Sequence, residues 1–154
     1  MPERSAGIIL FRTQPDLAVL LVHPGGPFWR RRDEGAWQIP KGGAEPGEPD
    51  EAAARREAEE ELGIALPGKP IELGEIRQSG GKLVAAFALE HDLDPAKVVS
   101  NTFPLEWPPR SGRFQQVPEV DEARWMTIEE ARRMMLPSQA PLLDLLIDAL
   151  AARS

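Results

Sequence analysis

The chain has no cysteine and no tyrosine among its 154 residues. Without thiols it can form no disulfide, carry no thiolate nucleophile and hold no cysteine-ligated zinc. No apolar run is long enough to span a bilayer. The opening MPERSAGIILFR has neither the long apolar stretch nor the small-residue cleavage site of an export signal, so a cytoplasmic location is expected. Basic charge is in deficit: 18 Lys and Arg stand against 25 Asp and Glu, a formal net charge of −7. That balance argues against a general binder of nucleic-acid polymers or anionic membranes. A small phosphate-bearing substrate stays compatible with it, because cations or a few local Arg and Lys can neutralise one. Neither an internal repeat nor a long disordered tail is evident, and the length fits one domain, residues 1–154, with a substantial core.

What the chain does have is acid concentrated on one short helix. The stretch Gly42–Ile64 reads GGAEPGEPDEAAARREAEEELGI. A helix is expected from about Asp50 to Leu62, with Pro49 and Asp50 suited to its start and Gly63 to its C-terminal cap. Glu57, Glu60 and Glu61 fall at i, i+3 and i+4 and so share a face. Ala54, Ala58 and Leu62 make a narrow apolar strip beside them, fit to pack closely on a sheet. Glu51, Arg55 and Glu59, spaced by four, read as solvated ion pairs on the outer face. Like charges four apart weaken a helix by a few tenths of a kcal/mol. A divalent cation resolves that conflict, since hard cations take several carboxylate ligands.

The spacing is Gly42, five residues, Glu48, seven residues, then Arg56-Glu57-Ala58-Glu59-Glu60-Glu61-Leu62-Gly63-Ile64. It resembles the GX5EX7REUXEEXGU signature of the Nudix hydrolases at every fixed position, with Ala58 a small residue for an aliphatic one. The resemblance implies an α/β fold: an α/β/α sandwich around a mixed β-sheet, with a loop-helix-loop catalytic box. It also implies cleavage of a pyrophosphate bond with Mg²⁺, or alternatively Mn²⁺. By the same resemblance, Glu60 and Glu61 are metal ligands with the backbone carbonyl near Gly42. Glu57 is a further ligand or the general base, Arg56 holds Glu57, and Glu48 gives a structural or water-mediated contact. Many members add an acid from beyond the box; Glu119 is the candidate here, with Asp121 and Glu122 as competitors.

Lys41, placed between a strand and a glycine pair, is sited to meet a phosphate. A W-x-x-P-K-G entry to the box resembles the dinucleoside polyphosphate and diphosphoinositol hydrolases of the family. Nucleoside triphosphate-cleansing members more often show P-G-G there. A nucleotide-type small molecule is therefore the expected substrate. Family members of the first kind often stack a base on tyrosine, so Phe or Trp must substitute here. Arg30, Arg31 and Arg32 form either a solvated loop or a basic wall for phosphates, with Phe28 or Trp29 as a stacking surface. Trp107 is the aromatic best suited to stack on a base, and Arg110 and Arg113 flank a Ser-Gly turn that could meet phosphate.

Elsewhere, Ala6–Arg12 and Leu17–His23 read as a buried hairpin, and Ala36–Pro40 as a short strand. Ile71–Gln78 and Lys82–Glu90 form a second hairpin around Ser79-Gly80-Gly81. Ser100–Pro118 holds four prolines and reads as an irregular loop, with Phe103, Trp107 and Phe114 anchoring it or reaching substrate. His91, Asp92 and Asp94 read as a plain loop. Thr127 with Glu130 makes a capping box for a short helix to about Met134. A last amphipathic helix, roughly Gln139–Ala151, is expected to cover one sheet face, and the sequence leaves the oligomeric state open.

Overall fold

A computed structural model describes residues 4–153. Eight strands and three helices follow in chain order: β1 Arg4–Arg12, β2 Ala18–Pro24, β3 Lys41–Gly43, α1 Asp50–Leu62, β4 Ile71–Arg77 and β5 Leu83–Glu90. Then come β6 Thr102–Glu106, β7 Phe114–Pro118, β8 Val120–Thr127, α2 Ile128–Met134 and α3 Pro141–Arg153. The main sheet runs β4-β5-β1-β2-β8, with β3 also on β1; β6 and β7 form a separate ribbon. Only β1 and β5 pair in parallel, so the sheet is mixed.

Alternation along β1 sorts its side chains between two layers. Ala6, Ile8 and Leu10 pack with Ala53, Ala54, Ala58 and Leu62 of α1. Ile9 and Phe11 face the other way, onto Leu142, Leu143 and Leu146 of α3. Ala53, Ala54 and Ala58 of α1 are fully buried, and their small size lets the helix lie close to β1. An α/β/α sandwich follows, as the sequence pattern and the family resemblance implied. Among the described residues no helix is long and apolar enough to cross a membrane.

One detail of pairing opens the cleft. The first half of β1 pairs with β3 at Ser5–Gly7, whereas its far end pairs with β2 at Leu10–Arg12. Both partners use the same edge of β1, so β2 and β3 diverge. Residues 36–40 fill the gap between them, held by backbone bonds from Gln38 to Val22 and from Trp37 to Met134. Ala36–Pro40 is therefore not a strand; it is a wedge with two isolated bridges, and the strand lies at Lys41–Gly43. Its position depends on Gln139, a fully buried side chain whose Oε1 accepts the Ile39 N–H at 3.0 Å.

Other expectations shift in the same way. Ser100–Pro118 is not an irregular loop but the β6–β7 hairpin, with Phe103 opposite Val117 and Glu106 opposite Phe114. A two-stranded ribbon has only edges, so prolines need not interrupt a ladder on both sides. Val120–Thr127 supplies edge strand β8 against β2. Arg55 and Glu59 do more than pair on the surface: Arg55 donates to the Leu66 and Gly68 carbonyls, and Glu59 accepts the Leu66 N–H at 2.7 Å. Together they fasten the chain that leaves α1. Asp92 pairs with Arg12, and Asp94 caps a 3-10 turn through the Ala96 N–H, which accounts for that loop.

Candidate active site

Helix α1 begins after Pro49 in an extended conformation and ends at Gly63, whose φ of 70° is left-handed. That cap brings the Gly63 N–H onto the Glu59 carbonyl at 2.8 Å. A side chain at 63 would also strike the Val99 carbonyl, at 2.2 Å from its Cβ. Glycine at 42 has a different reason. A Cβ there would stand 2.0 Å from Glu57 Oε2, so only glycine lets the Glu57 carboxylate lie over β3.

Arg56 ties the acidic loop to the helix. It donates to both Glu48 oxygens at 2.9 Å, to Glu57 Oε1 at 2.9 Å, to the Gly43 carbonyl at 3.0 Å and to Glu60 Oε1 at 3.5 Å. These bonds hold the Glu48 carboxyl down at about 2 and raise the Arg56 guanidinium above its usual range. Glu48 Oε1 also accepts the Glu45 N–H at 3.0 Å, which closes the turn before α1.

Glu61 lies in a different electrostatic setting. It is 9% exposed, and burial, then the charges of Glu119 and Glu57, push its carboxyl up to about 8 against the pull of Lys41. Glu119 is raised too, by its own desolvation and by Glu57 and Glu60. Lys41 is lowered by burial and by Lys82, opposed by Glu61, Glu57 and Glu119. Lys41, Glu61 and Glu119 line one cavity of about 220 Å³, walled by Val22, Pro24, Gln38, Ile39 and Trp29. The divergence of β2 from β3 makes this cavity, and α1 and the β7–β8 junction deliver the acids to it.

Such a donor set fits a hard divalent cation, because carboxylates that raise one another's pKa are relieved by positive charge between them. Among the described residues no three acidic or histidine side chains already converge as a ligand group. Glu57 and Glu60 are instead turned onto Arg56.

The remaining residues chosen from sequence lie elsewhere. Arg30 and Arg32 do not line the acid cavity; they line a separate cleft with His23, Trp37 and Arg124. Arg32 stacks over Phe28 at 4.3 Å. Trp107, 36% exposed, and Arg110, at a left-handed φ of 62°, sit beyond β6 in the hairpin turn, and neither lines the acid cavity. Trp29 is the aromatic that does. Its place was one of two open alternatives in the sequence, and proximity to Arg30 obscured it. Gln139 gave no local signal at all, since its partner is 100 residues away.

Comparison with known proteins agrees with this geometry. A family profile described as NUDIX domain matches residues 1–146. The RNA pyrophosphohydrolase of Caulobacter vibrioides (strain NA1000 / CB15N) is 45% identical over 56 residues, 33% of this chain and 33% of that protein. The aligned stretch thus spans about a third of the curated relative it matches. The C. elegans Ap4A hydrolase binary complex superposes with a TM-score of 0.67 at 21% identity, covering 96% of this chain and 98% of that one. The NUDIX domain of Shewanella oneidensis NrtR, complexed with ADP ribose, gives 0.66 at 18% identity over 97% and 89% of the two chains. These likenesses show a shared fold. A profile that spans nearly the whole chain means that the chain belongs to the NUDIX domain family.

Proposed function

We propose that this chain is a divalent-cation-dependent pyrophosphohydrolase that cleaves a nucleoside diphosphate linked to another group. The observation that carries the reading is the buried Glu61 facing Glu119 and Lys41 in one cavity beside Glu57 and Glu60. Mg²⁺, or Mn²⁺ in its place, would neutralise bridging phosphates and acidify a bound water there. Glu60 and Glu61, with the backbone carbonyl near Gly42, would hold it. Glu57 serves as a further ligand or takes the water's proton, and Arg56 fixes its carboxylate for either task. Glu119 is the acid from outside the box, as ligand or base. Lys41 offers its ammonium to a phosphate oxygen within the cavity. Glu48 and Gly63 keep the box in shape.

A dinucleoside polyphosphate such as diadenosine tetraphosphate is the favoured substrate, supported by Lys41 at the box entry and by Trp29 on the cavity wall. Hydrolysis of nucleoside triphosphates, oxidised ones included, is the second reading. The relative named an RNA pyrophosphohydrolase adds RNA-linked pyrophosphate to the panel. A nucleotide-sensing module without turnover is the reading from another class. A cytoplasmic location goes with each of these.

A release assay across dinucleoside polyphosphates, nucleoside triphosphates, ADP-ribose, NADH and triphosphorylated RNA, with Mg²⁺ or Mn²⁺, tests this. Glu60→Gln should cut turnover of the best substrate by at least about a hundredfold. Unchanged turnover in that variant sinks the ligand assignment. No turnover of any substrate by the unaltered protein sinks the enzyme reading and leaves the sensing module.

A further inference from the structure

Alternation along β2 places Val22 on the α1 side of the sheet and His23 on the other. Val22 accordingly packs with the α1 cluster, whereas the His23 ring meets Trp37 edge-on, its centroid 5.3 Å away, in the α3 layer. On that second side lies a cleft of about 550 Å³ lined by Arg30, Arg31, Arg32 and Arg124. Its volume suits a small-molecule ligand, whereas the 220 Å³ acid cavity falls below the usual range of about 300–1,000 Å³.

The charges of this cleft do not cancel locally. Buried His23 places Nδ1 2.8 Å from Asp121 Oδ1 and Nε2 2.5 Å from the Arg32 carbonyl. The ring thus occupies Asp121 as a hydrogen-bond partner. Asp33 accepts the Trp37 Nε1–H at 2.8 Å and stands 4.0 Å from Arg124. Glu122 is then the one acid of the lining without such a partner, against two exposed guanidiniums, Arg30 and Arg31, that have no hydrogen bond or ion pair among the described residues. Arg124 stacks 4.6 Å over Trp37 and keeps a buried Nε without an acceptor.

We propose that this arginine cleft is a second anion site, on the opposite side of β2 and β8 from the acids, for a small phosphate-bearing ligand. Planar guanidiniums match phosphate oxygens in pairs, and two of them are free to turn inward. The ligand is either inorganic pyrophosphate or a nucleoside phosphate, which share this chemistry. His23, Arg30 and Trp37 of this cleft adjoin Val22, Trp29 and Gln38 of the acid cavity in the chain.

Calorimetric titration in EDTA, with pyrophosphate and with AMP, tests the site without cation or turnover, so its result is separate from that of the hydrolase assay. Saturable binding is expected, weakened about tenfold or more in Arg30→Ala/Arg31→Ala and retained in Lys41→Ala. Both arginines are exposed, so the double variant should keep the melting temperature of the parent. Tighter binding of AMP assigns a nucleoside phosphate, and tighter binding of pyrophosphate an inorganic anion. Binding of neither, or binding lost in Lys41→Ala but kept in the double variant, overturns the proposal.

Discussion

Replacing Glu61 by Gln should stabilise the metal-free protein while it disables the site. Glu61 is 9% exposed and its carboxyl sits at about 8 instead of an ordinary 4.5, through burial, Glu119 and Glu57. An acid raised in the folded state binds its proton more tightly there than in the unfolded chain. Stability is then whole below 4.5 and is lost as pH rises through about 8. Linkage bounds that loss at about 5 kcal/mol. Relaxation of the carboxylate toward Lys41 reduces it, and on the order of 2 kcal/mol is expected in practice. Gln matches the protonated acid in shape and cannot ionise. In EDTA at about pH 8.5, Glu61→Gln should therefore melt roughly 4–8 °C above the parent, with no gain near pH 5. Added Mg²⁺ should raise the parent's melting temperature at high pH and the variant's much less. Scanning calorimetry at the two pH values, with EDTA or Mg²⁺, reads all four conditions. A variant that melts no higher than the parent at high pH refutes the claim that Glu61 is a strained charge.

Two further changes follow from close contacts. Gly42→Ala places a Cβ 2.0 Å from Glu57 Oε2 and must move either the carboxylate or β3; a cost of about 1–3 kcal/mol and a fall in kcat should appear together. Wild-type melting and kcat in that variant would show that Glu57 has room to spare. Gln139→Leu takes the acceptor from the buried Ile39 N–H, so the denaturant midpoint should drop by an equivalent of about 1–3 kcal/mol with the slope unchanged. Hydrogen exchange at Ile39 should quicken in it, and slow exchange there would contradict the role given to Gln139.

The sequence made some elements legible because their signals are local. Helix α1 runs from Asp50 to Leu62 as read, since an N-terminal proline and a left-handed glycine mark its ends within the chain itself. Thr127 capping the Glu130 N–H at 3.2 Å is local in the same sense. What escaped was set by distant partners. Residues 36–40 carry strand-like composition, yet Gln139 and Met134 hold them as a wedge. The prolines of 100–118 argued against pairing, but a ribbon of two edge strands tolerates them. Arg30 and Arg32 looked like ligands for phosphates at the box acids because charge is visible in sequence; which side of β2 their loop occupies is not.

The acids divide into two groups with different work. Glu48 is neutralised by Arg56 in a place open to solvent, and Glu57 and Glu60 are drawn to the same guanidinium. Buried Glu61 lines the acid cavity with Lys41 and with the more exposed Glu119, and burial and the charge of Glu119 raise the Glu61 carboxyl. Glu48 keeps the turn before α1 in register; in the proposed function Glu57 and Glu60 join Glu61 and Glu119 where phosphates and cation meet. At about 220 Å³ their cavity has room for phosphates but not for a nucleoside as well. In the proposed function the nucleoside then lies past Trp29 and Pro24, over a turn on which the hairpin rests: a Cβ at Gly26 would lie 3.6 Å from Leu105 and 3.8 Å from Val117. In the proposed function hydrolytic chemistry and substrate choice fall to different parts of the chain, so changes in the hairpin should alter KM across substrates before they alter kcat.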